Sequence, residues 1–132
     1  MKVWVVGSTV FNYSDRTGRY HLVEDTMRTI NLRVFLSAKE AEAHAAEEAS
    51  EEMRVLYEHN LLSDYCTGWQ VERLSDAQRT RLTLILRDSD SPMHPYQICR
   101  GPFPDRRLSN AECAELLEIF PHLKWVVREV DV

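Results

Sequence analysis

From Ala38 to about Asn60 the chain runs without a single glycine or proline, and this stretch constrains the fold more than any other. It is built from strong helix formers, chiefly alanine and glutamate, and predicts one long helix. Advancing about 100° per residue gathers Ala38, Ala45, Ala49, Met53 and Leu56 on one side. Glu40, Glu47, Glu51 and Glu58 superpose on the other. The small alanines let such a helix lie close against a sheet. The acidic row is expected to extend about 27 Å.

The start of this helix is written in the sequence as well. Ser37 precedes Glu40 by three residues, the spacing of a capping box in which hydroxyl and carboxylate satisfy unpaired backbone donors. The same spacing recurs at Ser75 and Gln78 and at Ser109 and Glu112, marking two further helix starts. The segments that follow share no other pattern, so these are not internal repeats. The last helix spans Asn110 to Phe120 and stops at Pro121. Residues 76–87 suit a helix through Leu82, Ile85 and Leu86. Thr80, Leu82, Leu84 and Leu86 also alternate like a strand facing Trp69 and Val71, and the helix is the favoured assignment.

Strands surround these helices. Residues 3–13 are rich in β-branched and aromatic types, with apolar side chains on both faces of the first half, which predicts a strand inside a sheet. Ser14 to Gly18 is a turn cluster, and Tyr20 to Val23 returns as the antiparallel partner. A polar connection through Asp25 and Asn31 leads to a third strand, Leu32 to Leu36, and Lys124 to Val130 closes the chain as another. Between Asp88 and Arg107 lie Pro92, Pro95, Pro102, Pro104 and Gly101, which largely exclude regular structure except a short strand at Tyr96 to Cys99. The expected architecture is α+β, a single domain over 1–132. Its mainly antiparallel sheet comes from the N-terminal meander and the C-terminal strand, packed by the long helix and one or two shorter ones.

Composition narrows the function. With 132 residues, 44% hydrophobic and 28% charged, the chain is suited to one buried core and lies far from disordered compositions. A net charge of −5 opposes attraction to phosphate backbones, so direct nucleic-acid binding is not expected. A basic protein surface, or a nucleic-acid-binding protein whose groove expects phosphates, would be drawn to it instead. No stretch approaches the roughly 20 apolar residues of a membrane span. The apolar N-terminal run is too short for a signal peptide. Cys66, Cys99 and Cys113 are odd in number and widely spaced, resembling thiols of a reducing compartment. A cytoplasmic protein is expected.

Two candidate contact surfaces follow. The acidic row Glu40, Glu47, Glu51, Glu58 offers carboxylates at regular spacing that could mimic phosphates, and the same pattern also describes an ordinary solvated helix face. The long proline-rich connection carries Tyr96, Arg100, Phe103, Arg106 and Arg107, aromatic and guanidinium groups of the kind that dominate interfaces. Its alternative role is a cover for the sheet with Phe103 as a core plug. His94, Cys99, Cys113 and His122 match no compact zinc spacing, so no metal is assigned. Cys66 with His59 is the nearest nucleophile and base pair in sequence. The acidic neighbour Asp64 works against a thiolate there, and no catalytic residue is assigned.

The opening Lys2-Val3-Trp4-Val5-Val6, followed by Val34-Phe35-Leu36-Ser37-Ala38-Lys39-Glu40-Ala41, resembles small phage and mobile-element proteins in which a strand meander enters an F-x-S-x-x-E-A helix. Some compact acidic proteins of that kind act as anti-CRISPR or other anti-defence inhibitors. The resemblance therefore implies a binding protein without enzymatic activity or cofactor, docked on a host protein or nucleoprotein complex. A small Cys/His enzyme or metal protein is one alternative. A self-associating structural protein, with Trp4 or Trp125 at an exposed strand edge, is another.

Overall fold

The structure, a computed structural model, describes residues 1–28, 32–65, 73–91 and 93–132, without the side chains of residues 19, 24–26, 95 and 96. The fold is α+β, as expected. Strand β1 (Lys2–Gly7) lies at the centre of a three-stranded antiparallel sheet, between β4 (Arg33–Phe35) and β5 (Val126–Asp131). Trp4 stands opposite Phe35 and Glu129, and Val6 opposite Arg33 and Val127. The expected C-terminal return to the sheet is therefore present, and Trp4 sits on the central strand, not at an edge.

The single strand expected over residues 3–13 is two strands. At Ser8 the chain leaves the first sheet, and β2 (Thr9–Ser14) pairs with β3 (Arg19–Met27) in a separate two-stranded sheet. Gly7 permits the crossing, because a Cβ there would lie 2.5 Å from Met27 Cγ. The Arg28 amide then donates to the Ser8 carbonyl at 2.9 Å, holding the end of the hairpin against the break. Asp25, expected in a connection, is part of β3. Asn31, Cys66, Trp69 and Val71 lie outside the described residues.

The long helix is α1 (Ala38–Glu58). The Ser37 hydroxyl accepts from the Glu40 amide at 3.4 Å. The carboxylate does not return the bond, so the expected box is half formed. At the other end Asn60 adopts a left-handed backbone, φ 58°, which an asparagine tolerates and which stops the helix. A short α2 (Leu62–Tyr65) precedes α3 (Asp76–Arg87) and, further on, α5 (Asn110–Ile119). Complete capping boxes start α3 and α5, at Ser75 with Gln78 and at Ser109 with Glu112. The strand expected at Tyr96 to Cys99 is instead a helical turn, α4 (Pro95–Ile98), followed by the buried Cys99. Ile98 and Cys99 are consecutive and both buried, which a half-buried strand, alternating its side chains, cannot provide. A 3₁₀ turn, Pro121–Leu123, links α5 to the last strand.

Two hydrophobic clusters hold the elements together. The larger joins Ala49, Met53, Leu56 and Tyr57 of α1 to Leu82, Ile85 and Leu86 of α3 and to Cys113, Leu116 and Leu117 of α5, closed by Phe120. The smaller sets Ala41 and Ala45 of α1 on Val6, with Trp4, Phe35, Trp125 and Val127 around them. Alanine at these positions lets the helix axis approach the sheet.

Candidate functional site

The proline-rich connection is fastened to the helices. The Phe103 ring stacks on Tyr57, centroids 5.0 Å apart and 11° between planes, and the Arg87 guanidinium lies 6.0 Å from the Phe103 centroid. Tyr57 Oη donates to the Pro104 carbonyl at 2.7 Å, and burial pushes that phenol up from its ordinary value. Asn60 Oδ1 accepts from the Phe103 amide at 3.0 Å. Arg87 Nη1 donates to the carbonyls of Arg100 and Pro102, at 2.6 and 3.1 Å.

Arg106, expected in a contact surface, turns inward. Its two guanidinium nitrogens bind the two oxygens of Glu112 at 2.9 and 2.7 Å, and Nη2 also donates to the Ile85 carbonyl at 2.6 Å. The guanidinium holds the Glu112 carboxyl down at about 2, and the carboxylate raises Arg106 in return. Arg107 Nη2 bonds Glu51 at 3.2 Å, and its Nη1 lies 3.9 Å from Glu58. Arg100 is exposed. Tyr96 belongs to α4, and its side chain lies outside the described set. Phe103 and Arg106 are therefore engaged by the chain's own helices and not by the sheet they were expected to cover, while Arg107 stays exposed beside Glu51 and Glu58.

The acidic row is divided by these contacts. Glu51 lies between Arg107 and Arg54, at 3.2 and 2.6 Å, and Glu58 faces Arg107, whereas Glu40 and Glu47 are exposed without an ion pair among the described residues. Sequence inspection missed Arg54. Its side chain is buried, donating through Nε to the Leu108 carbonyl at 2.9 Å and through Nη2 to Asn110 Oδ1, so it joins α1 to the start of α5. Its position on the buried side of the periodic pattern, beside Met53, was the available signal.

Among the described residues the cysteines and histidines do not converge. Cys99 and Cys113 are buried free thiols, and burial pushes Cys113 up. Cys113 Sγ contacts the Ser50 carbonyl at 3.6 Å. His122 Nε2 donates to the Tyr65 carbonyl at 2.8 Å, its ring edge-on to Phe11 and Phe120, and burial lowers its pKa. Among the described residues no group of three or more His, Cys, Asp or Glu is placed to hold a metal ion. No described helix is long and apolar enough to cross a membrane.

Two surfaces stand out that the sequence did not single out. The first is the face of the three-stranded sheet turned away from α1. Trp4 and Val6 pack toward the helix, so Val3 and Val5 point the opposite way, as do Val34 across β4 and Arg128 and Val130 across β5. Val34 is 63% exposed and Val130 39%, and the flanking Leu32 and Leu36 are 41% and 72% exposed. Val3 is buried, yet it belongs to neither core cluster. The signal in the sequence is the alternation Leu32, Val34, Leu36, which marks a strand whether or not its face is covered.

The second is a cleft of about 540 Å³ between α1, α5 and the segment Lys124 to Val127. Buried Ala45, Ala49 and Leu117 form its floor, and exposed Glu42, Glu118 and Lys124 stand at its mouth. Lys124 Nζ bonds Glu118 at 2.7 Å, and Trp125 Nε1 donates to Glu52 at 2.7 Å. Comparison with protein-family models, with curated proteins and with solved structures finds no match for the chain.

Proposed function

We propose that the chain is a protein-binding domain without enzymatic activity. It docks on a macromolecular complex of a host cell and acts by occlusion, in the manner of an anti-defence inhibitor. The observation that carries this is the partly exposed apolar sheet face, around which Leu32, Val34, Leu36 and Val130 are all more than a third exposed. Large exposed apolar side chains gathered on one face are the raw material of interaction sites on otherwise polar proteins. Fully burying one such side chain is worth about 1.5–3 kcal/mol, so covering what remains exposed of four contributes several. The net charge of −5 defines the partner's chemistry further, an apolar patch bordered by lysine and arginine.

The thiols of Cys99 and Cys113 are inside the core and the His122 ring is engaged by a carbonyl, which supports a binding role over a catalytic one. The test compares wild type with Val34→Glu in pull-downs from host lysate, with sedimentation velocity run in parallel. A partner retained by wild type and lost by the variant supports the proposal. Equal recovery by both overturns it, and so does the recovery of no specific partner. A mass that rises with concentration in wild type but not in Val34→Glu would show that a second copy of the chain occupies the face, and would replace the proposal.

A further inference from the structure

We infer that the cleft between α1 and α5 is a recognition pocket for a long aliphatic side chain ending in a cation, a lysine or arginine presented by a basic segment of a partner protein. The inference goes beyond the sheet face and concerns a different part of the surface. Three properties of the cleft define that occupant.

Its size comes first. About 540 Å³ lies within the range of small-molecule sites, roughly 300–1,000 Å³, and suits one or two side chains. A whole helix, about 10–12 Å across with its side chains, needs far more. The second property is the wall. Ala45, Ala46, Ala49, Ala114 and Leu117 offer only short apolar groups, against which the methylenes of a lysine or arginine stem can lie. Trp125 lines the same cleft with its indole N–H bonded to Glu52, and adds apolar surface for such a stem.

Charge is the third. Glu42 and Glu118 stand at the mouth and Glu52 adjoins Trp125, against the single cation Lys124. Lys124 is already bonded to Glu118. Glu42 is exposed and makes no hydrogen bond or ion pair among the described residues, which leaves its carboxylate for an incoming cation. An anionic ligand would meet three carboxylates and a lysine already engaged.

The probes are an amphipathic Leu/Lys helical peptide and its Leu/Glu counterpart, titrated against the whole chain while the Trp125 indole N–H resonance is followed by NMR. The Leu/Lys peptide is expected to shift that resonance saturably and the Leu/Glu peptide to leave it unmoved. Glu42→Lys should weaken binding about tenfold, and raising the salt should weaken it too. Ala46 is exposed, so Ala46→Trp fills the cleft without disturbing the core and should abolish the shift while the circular dichroism spectrum stays the same. Val34→Glu should leave the titration unchanged, which separates this site from the sheet face. The inference is overturned by an equal response to the two peptides, by no response to either, or by Leu/Lys binding that survives Ala46→Trp.

Discussion

Replacing Glu112 by Gln tests the clasp between the proline-rich connection and the helices, and its effect can be worked out from the geometry. The carboxylate takes both arms of Arg106 and also accepts from the Ser109 amide at 2.9 Å. A glutamine keeps one acceptor oxygen and loses the charge. The folded carboxyl titrates at about 2, against 4.5 for the free group. At 1.36 kcal/mol per pH unit this sets a ceiling near 3 kcal/mol. The pair is partly exposed, 33% for the Arg106 side chain and 26% for Glu112, so solvent screening brings the contribution to about 1–2 kcal/mol. Because the folded value is the lower one, this stabilisation is complete above pH 4.5 and is lost as pH falls toward 2. Urea unfolding of wild type and Glu112→Gln should therefore differ by about 1–2 kcal/mol at pH 7, and the two curves should converge near pH 2. A gap that stays constant from pH 6 to pH 2, or no gap at pH 7, would refute the assignment.

Two further outcomes follow from packing and burial. A Cβ on Gly101 would lie 2.5 Å from Asn60 Cβ and 2.6 Å from its Oδ1, so Gly101→Ala should cost about 1–3 kcal/mol in chemical unfolding. Asn60→Gly clears that space, so in a double-mutant cycle the two changes should cost less together than the sum of each alone; strict additivity would count against the contact. His122 should titrate below 6.5 by NMR, since burial disfavours its charged form. Its neutral form stabilises the fold above pH 6.5, and that contribution should fall away as the solution is acidified below this value.

Much of the framework was legible because the chemistry that sets it is local. The caps at Ser75 and Ser109 act over three residues, and the buried stripe of α1 depends only on helical geometry. Where the deciding contact lies far along the chain, the sequence was silent. The break at Ser8 depends on Gly7 meeting Met27, and the role of Arg106 depends on Glu112 and on the carbonyl of Ile85. Residue type alone marked Phe103, Arg106 and Arg107 as interface groups, yet the same aromatic and guanidinium chemistry serves equally well inside the chain's own fold. The two surfaces now singled out were illegible for a related reason. Alternation along β4 fixes which side chains share a face, while how much of that face stays exposed is a property of the whole assembly.

The fastening of residues 100–107 has a consequence for how the molecule breathes. The Phe103 amide rests on Asn60, the Pro104 carbonyl on Tyr57, and Arg106 on both Ile85 and Glu112, so this segment is anchored to three separate helical regions. A chain rich in proline and glycine would ordinarily exchange its amides early and offer proteases an easy cut. Here local release would have to undo contacts at the end of α1, the end of α3 and the start of α5 at once. These anchors tie the segment to the helical core, so hydrogen exchange at the Phe103 amide is expected to be slower than its proline- and glycine-rich composition alone would give.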